Sequence, residues 1–426
     1  MSSRSLAVDA LVRVEDGAYA HILVPQLLTK SDLSPRDRGF VTDLVYGTIR
    51  MQRAVDHLLA PVSARPLASL DPPVRAALRL GAYQLLTGVA AHAAVGESVE
   101  VVPPHARGFA NGVLRALART GPPFGWPPAD SVTGIAVRTS HPDWIAELFV
   151  REFGRADALA TLALNDEPPP VTLRVNSMRA APHDIERELL DLGVDVERGG
   201  LVPEALVLRH AGDVGGFACV RDGRATPQDQ SSQAVVALLD PQPGERILDV
   251  AAAPGGKATA AAERMGDTGL VVAGDLHPGR VRTVARARDR IGLTSVVPIV
   301  ADGHRLPVPP ESFDRVLLDA PCSGLGVLRR RPDARWRVEP DDVRQLAGLQ
   351  RELLAGAAAA VRPGGRLVYA VCTIAPDETR AVAVPPGFVA LDPPGAPWRP
   401  HGAGALLLPS DAQTDGMFVL AMERSR

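Results

Sequence analysis

The sequence predicts a multidomain chain: an all-α bundle over residues 1–121, a small α+β domain over 131–226, and an α/β domain with a doubly wound, mostly parallel sheet over 227–426. Three observations predict it. Apolar residues recur at helical spacing through the first ~120 residues. The stretch Gly121-Pro-Pro-Phe-Gly-Trp-Pro-Pro-Ala-Asp130 then breaks the pattern as only a linker does. From Pro227 onward, short apolar runs alternate with helical segments, the pattern of parallel strands joined by crossover helices. A length of 426 residues suits roughly two to four domains.

In the first part, Leu6, Ala10, Leu11 and Val14 line one face of an opening helix. Ser34-Pro35 reads as N-cap and first-turn proline for a helix that turns Phe40, Val41, Leu44 and Val45 inward. Asp71-Pro-Pro caps another, striped by Val74, Leu78, Ala82 and Leu85, and a fourth carries Phe109, Val113, Leu114 and Leu117. Short loops between them predict a compact bundle; the pattern alone does not separate a structural bundle from a binding one. In the second part, Val171–Val175 and Ala205–Leu208 alternate as strands do. In the third, strands are expected at Arg246–Val250, Leu270–Gly274, Val296–Val300, Val316–Leu318, Arg366–Ala370 and Phe418–Met422, with helices at Ala258–Met265, His277–Ile291 and Pro340–Val361.

Net charge is −3, so no global basic field advertises non-specific nucleic-acid binding, and any nucleic-acid contact must come from local patches. Three cysteines without paired spacing exclude a disulfide framework and a Cys/His zinc cluster; no metal is expected. The start, Met1-Ser-Ser-Arg-Ser, lacks an apolar signal core, and no apolar run approaches the ~20 residues that span a bilayer, so a cytoplasmic protein is expected. The only lysines are Lys30 and Lys257 in a chain otherwise committed to arginine, which singles out Lys257 as a site needing a compact ammonium.

Chemistry concentrates at the carboxyl ends of the expected strands, where open α/β sheets bind ligands. Ile247-Leu-Asp249-Val-Ala251-Ala252-Ala253-Pro254-Gly255-Gly256-Lys257 is a strand, a glycine turn and a helix start. Glycines admit a ligand to the backbone, and a helix N-terminus offers N–H groups to an anion. There is no G-x-G-x-x-G and no Walker A spacing, which disfavours NAD and nucleoside triphosphates. S-adenosylmethionine, with a carboxylate, an amine, a ribose and an adenine but no pyrophosphate, suits Asp249 and the turn amides for its methionine end. Asp275 ends the next strand where an acid takes both ribose hydroxyls. Asp302, after the third strand, suits the adenine amine and equally suits a simple turn cap.

Two of the three cysteines sit just past strands, in Asp319-Ala-Pro-Cys322-Ser-Gly and Val371-Cys372-Thr373. Carbon 5 of cytosine is a poor nucleophile until a thiolate adds at carbon 6, so a cysteine beside a methyl donor points to cytosine methylation. Asp319 suits the base edge at N3, and the base must be unstacked to be reached. Cys219 reads as inert packing. Arg329, Arg330, Arg331, Arg335 and Trp336 follow on the same stretch. A charge run is usually a solvated face, but arginines flanking a tryptophan here suit phosphate contact and base stacking, an RNA-binding patch.

Asp319-Ala-Pro-Cys-Ser-Gly-Leu-Gly-Val-Leu-Arg-Arg-Arg-Pro-Asp-Ala-Arg-Trp336 closely resembles the signature of the bacterial RsmB (Sun/Fmu) family of ribosomal-RNA cytosine-C5 methyltransferases. Gln228–Gln233, His141–Trp144, Leu173–Asn176 and Asp415–Phe418 also match, and Leu44–Arg50 and Phe109–Arg115 resemble its NusB-like RNA-binding domain, so the likeness spans essentially the whole chain. It implies a Rossmann-like S-adenosylmethionine-dependent methyltransferase domain acting on small-subunit ribosomal RNA. It implies cofactor contacts from Ala251–Lys257, Asp275, Asp302 and Asp319; Arg280 also counts as a candidate. It further implies that Cys372 is the nucleophile, that Cys322 assists release, and that Lys257 lies near both pocket and cofactor. DNA cytosine methyltransferases use the Pro-Cys cysteine instead, so Cys372 favours RNA. The same chemistry on tRNA or another rRNA, or a non-catalytic RNA-binding assembly factor, are the competing readings. The chain departs from the family in three places: Ala251 where many relatives have cysteine, Val-Cys-Thr for Thr-Cys-Ser, and a short Arg380–Gly395 segment with Val384-Pro-Pro-Gly387 where a helix is expected.

Overall fold

The computed structural model describes residues 2–426 and divides them into two compact units. One is helical: residues up to Pro168 together with a returning segment, Leu328–Arg337. Seven helices form its first part: α1 (Ser3–Glu15), α2 (Ala20–Thr29), α3 (Pro35–Arg50), α4 (Gln52–Leu59), α5 (Pro72–Leu86), α6 (Ala91–Glu100) and α7 (Arg107–Thr120). Leu6, Leu11, Val41, Leu44, Leu78 and Leu114 meet in one core, so the expected stripes do face inward. Ser34 caps α3 by accepting from the Asp37 amide, as its place before Pro35 predicts. The Asp71 side chain makes no such bond; α5 starts from its proline and the Asp71 carbonyl instead.

The compact units do not part at residue 131, where the proline-rich stretch suggested a division. Helices α8 (Val132–Arg138) and α9 (Asp143–Leu164) belong with the bundle. Arg53 at the start of α4 ties them there: its amide donates to Ser140 Oγ (3.0 Å), and its guanidinium to the His141 carbonyl (2.8 Å) and Asp143 (2.9 Å).

The second unit holds residues 169–327 and 338–426. Its first sheet is antiparallel, ordered β2 (Asp195–Arg198), β3 (Ala205–Arg209), β1 (Val171–Val175), β4 (Ala225–Pro227), with α10 (Pro182–Asp191) and the short α11 (Ala218–Arg221) packed on it. Cys219 lies fully buried in this small core, where burial pushes its thiol up.

The larger sheet runs β11 (Arg399–His401), β12 (Gly404–Leu407), β13 (Met417–Arg424), β9 (Val361–Val371), β8 (Phe313–Asp319), β5 (Arg246–Asp249), β6 (Leu270–Asp275), β7 (Val296–Val300), with β10 (Phe388–Ala390) beside β13. Helices α12 (Gln230–Leu239), α13 (Gly256–Arg264), α14 (Pro278–Ile291) and α15 (Pro340–Ala360) belong to this unit, and α16 (Pro409–Ala412) is one short turn. The sheet is mixed, not mostly parallel: β7, β6, β5, β8 and β9 are parallel, whereas β13, β12, β11 and β10 join antiparallel. The inner strand β9 carries a continuous apolar run, Leu367–Val371, because both its faces are covered, whereas β7 closes one edge of the sheet with Val297 and Val300 exposed. The strand order reverses between β5 and β8, and ligands of such sheets settle outside that switch point. Among the described residues, no helix is long and apolar enough to cross a membrane.

Candidate active site

Asp249 ends β5, Asp275 ends β6, Asp302 follows β7, Asp319 ends β8 and Cys372 follows β9, so the parallel sheet gathers them along one edge. Between β5 and α13 the chain turns through Ala251–Gly255. Gly255 has φ +109°, and a Cβ there would stand 3.1 Å from the Val284 Cα, so the turn needs glycine for conformation and for space. The amide of Ala252 donates to the Gly274 carbonyl (2.7 Å), and Arg280 donates to the Ala253 carbonyl (2.9 Å) while lying 3.4 Å from Asp275. Arg280 thus braces the turn and the second strand end together. Asp275 also accepts from the His277 amide (3.0 Å). Asp302 accepts from both the amide (2.9 Å) and the ring (2.8 Å) of His304, which hold its carboxyl below the usual range; in this structure it does act as a turn cap.

Asp249 is 1% exposed, and neither carboxylate oxygen has a hydrogen-bonding partner of ordinary geometry. Burial, then the charge of Asp319, push its carboxyl up to about 7 against the pull of Lys257 and the Ala251 amide. A buried carboxylate with its oxygens unspent is a receptor for a cation. The amino acid ammonium of S-adenosylmethionine is such a cation, and the first-turn amides of α13 offer positive partial charge to its carboxylate. The donor set fits this cofactor. Among the described residues, no cluster of His, Cys, Asp or Glu is placed to hold a metal ion.

Cys322 and Cys372 come together, Sγ to Sγ 3.4 Å, both half-buried. The hydrogen bond with Cys372, burial and the nearby charges of Glu378 and Asp319 hold the Cys322 thiol well above its usual range, so it stays protonated. Lys257 reaches Asp319 Oδ2 at 2.6 Å and Ser232 Oγ at 3.5 Å. Burial pulls the ammonium down, but the charge and hydrogen bond of Asp319, then Cys372 and Asp249, outweigh it and raise it overall. The pair engages Asp319 Oδ2, and Asp319 is near enough to Cys322 for its charge to raise that thiol.

Leu328–Arg337 lies in the helical unit, and the RNA-facing reading of Arg329, Arg335 and Trp336 is corrected by what they bind there. Arg335 is 0% exposed and donates to the carbonyls of Ser140 (2.9 Å), Asn165 (3.0 Å) and Arg50 (3.1 Å) and to Asp166 (2.9 Å). Trp336 donates its indole N–H to the Ile49 carbonyl (2.9 Å), and Arg329 is bonded to the carbonyls of Glu167 (3.2 Å) and Pro168 (2.9 Å). Arg331 is exposed and Arg330 intermediate.

The sequence reading missed the buried polar residues beside the cysteines: Ser323, Thr373, Gln350, Tyr369 and Glu378. The usable signal was position, since Ser323 and Thr373 each directly follow a cysteine and Glu378 lies six residues past Cys372.

Comparison with known proteins agrees with this geometry. Residues 236–384 match the family described as 16S rRNA methyltransferase RsmB/F, residues 1–119 the NusB family, and residues 141–215 the RsmF/B-like ferredoxin-like domain. The chain is 35% identical over 445 aligned positions to the probable ribosomal RNA small subunit methyltransferase B of Bacillus subtilis, covering 99% of each. The crystal structure of PH0851 superposes with TM-score 0.83 at 25% identity, covering 100% of this chain and 99% of that one. A methyltransferase homolog protein from Pyrococcus horikoshii superposes with TM-score 0.60 at 26% identity, over 69% of this chain and 99% of that one.

Proposed function

Because the chain belongs to the RsmB/F family of 16S rRNA methyltransferases, we propose that it methylates carbon 5 of a cytosine in small-subunit ribosomal RNA through a covalent adduct at Cys372. The observation that carries this reading is the Cys322–Cys372 pair, 3.4 Å apart at the sheet edge that also holds Asp319, Lys257 and Asp249.

When bound, S-adenosylmethionine supplies an electrophilic methyl group. Asp249 and the Ala251–Gly256 turn hold its methionine end, Asp275 its ribose and Asp302 its adenine side. Cys372 as thiolate adds to carbon 6 of an unstacked cytosine, which turns carbon 5 into an enamine carbon able to take the methyl. As the sulfur adds, N3 gains basicity and takes a proton from solvent water, and Asp319 accepts the resulting N–H while Lys257 fixes its other oxygen. Loss of the carbon-5 proton to water, with return of the N3 proton to solvent, then breaks the carbon 6–sulfur bond and expels Cys372. Cys322, held as a thiol 3.4 Å away, is suited to assist that release by giving its proton to the departing sulfur. Exposed Arg331, with Arg330, serves a phosphate contact.

The test is transfer of labelled methyl from S-adenosylmethionine to unmodified small-subunit rRNA, followed by nucleoside analysis. Label is expected in 5-methylcytidine and is expected to vanish with Cys372→Ala. Cys322→Ala is expected to accumulate a protein–RNA adduct that survives denaturing electrophoresis. Label in another nucleoside, or full activity of Cys372→Ala, would refute the proposal.

A further inference from the structure

Below the two sulfurs lies a closed polar network that the methylation chemistry does not call on. Glu378, 0% exposed, ends the turn Pro376–Glu378 that follows the Cys372 loop. Its Oε1 accepts from the Ser323 amide (2.9 Å) and from Gln350 Nε2 (2.8 Å), and its Oε2 pairs with the Ser323 hydroxyl. That hydroxyl also meets Thr373 Oγ1 at 2.7 Å. Gln350 Nε2 donates in addition to the Pro321 carbonyl (2.9 Å), and the Tyr369 hydroxyl donates to Gln350 Oε1 (3.0 Å) and the Glu378 carbonyl (2.9 Å).

The bonds therefore fall on both sides of each sulfur: Pro321 and Ser323 flank Cys322, and Tyr369 and Thr373 bracket Cys372. A buried carboxyl is unfavourable unless it is hydrogen-bonded, and well-packed apolar groups would serve stability as well, so the network's distinguishing effect is geometric. It also occupies a telling place. No helix follows the Cys372 loop between Glu378 and β10, so no packed helix is there to brace it.

We propose that Glu378 is a positioning residue: through Ser323, Thr373 and Gln350 it locks the two cysteine loops together and sets the distance between Cys322 and Cys372. This rests on the reading of those two cysteines as the reactive pair, so the experiment needs a readout independent of methyl transfer. Treatment with diamide joins two nearby thiols as a disulfide and reports their proximity directly. In the full-length protein, Cys322 and Cys372 are expected to cross-link readily. Glu378→Ala should slow that cross-linking by about tenfold and lower kcat by roughly a hundredfold, with KM for RNA and Kd for S-adenosylmethionine within about threefold of the parent. Glu378→Gln, which retains an acceptor for Ser323 and Gln350, should recover most of both.

Should Glu378→Ala fail to fold, Ser323→Ala, which deletes only the bridging hydroxyl, should slow cross-linking and turnover together by a smaller factor. Normal cross-linking in Glu378→Ala or Ser323→Ala, whatever happens to kcat, would overturn the proposal. So would a loss confined to KM or cofactor binding. If no 5-methylcytidine forms even in the parent while cross-linking still depends on Glu378, the reaction reading fails and the positioning role stands.

Discussion

Asp249 carries the clearest prediction at the scale of one residue. Its carboxyl is pushed up to about 7 by burial and by Asp319, whereas in the unfolded chain it returns to the usual range near ~4. Between those values the folded protein holds a proton that the unfolded chain releases. Its contribution to stability is therefore fully present below about pH 4 and is lost as pH rises through about 7. The cofactor ammonium reverses the preference by favouring the carboxylate, so binding below pH 7 expels a proton. Calorimetric affinity for S-adenosylmethionine should weaken as pH falls from 7 to 5.5, by up to about tenfold per unit. Asp249→Asn should flatten that dependence, raise the melting temperature of the cofactor-free protein at pH 8, and weaken binding by roughly 30-fold, about 2 kcal/mol. An affinity that neither tracks pH nor responds to Asp249→Asn would remove Asp249 from the cofactor site. The residue types at the strand ends were legible because chemistry and strand spacing coincide there. The unspent state of the Asp249 oxygens was not legible, because it depends on which donors the packed chain brings within reach of a buried side chain.

At the scale of elements, the inner strand β9 was legible because burial on both faces demands a continuous apolar run, as in Leu367–Val371, whereas the edge strand β7 was legible from its β-branched residues although Val297 and Val300 are exposed. The antiparallel extension was half legible. β13 shows an apolar run, but β11 is Arg399-Pro-His401, three residues with a proline at a sheet edge, which reads as loop from sequence. The docking of one cysteine loop on the other was hidden altogether. The Gly326 amide donates to the Cys372 carbonyl (3.0 Å), and the Gly416 amide to the Gly326 carbonyl (2.8 Å). A Cβ on Gly326 would lie 2.3 Å from the Gly416 oxygen and 2.9 Å from the Cys372 oxygen, both backbone atoms unable to yield cheaply. Gly326→Ala is therefore expected to destabilise by about 1–3 kcal/mol and to depress kcat far more than affinity for S-adenosylmethionine. Denaturant melts and steady-state kinetics check this, and a variant with parental kcat would show that the close approach has no bearing on the reaction.

At the scale of the whole molecule, the chain order and the compact units disagree, and that disagreement explains the one large misreading. Leu328–Arg337 leaves the sheet unit's sequence and completes the helical unit's packing, taking Arg335 to full burial. Arginines beside a tryptophan resemble an RNA-facing patch by composition, and nothing local in the sequence reports that backbone carbonyls of α3 and of the segments flanking α9 have claimed them. Asp166, pushed up to about 7 by burial against the pull of Arg335, sits on the same clamp. Arg335→Ala would strand the carbonyls of Arg50, Ser140 and Asn165 without their donor, so the helical unit should lose about 3 kcal/mol or more. Arg335→Lys should rescue little, because one ammonium cannot satisfy carbonyls spread around a planar fork. Hydrogen exchange on α3 and α9 would report the loss in the full-length protein. The rival role makes the opposite forecast: a phosphate contact predicts unchanged exchange with weaker RNA binding and a salt dependence reduced by about one unit. A clamp predicts accelerated exchange even with no RNA present.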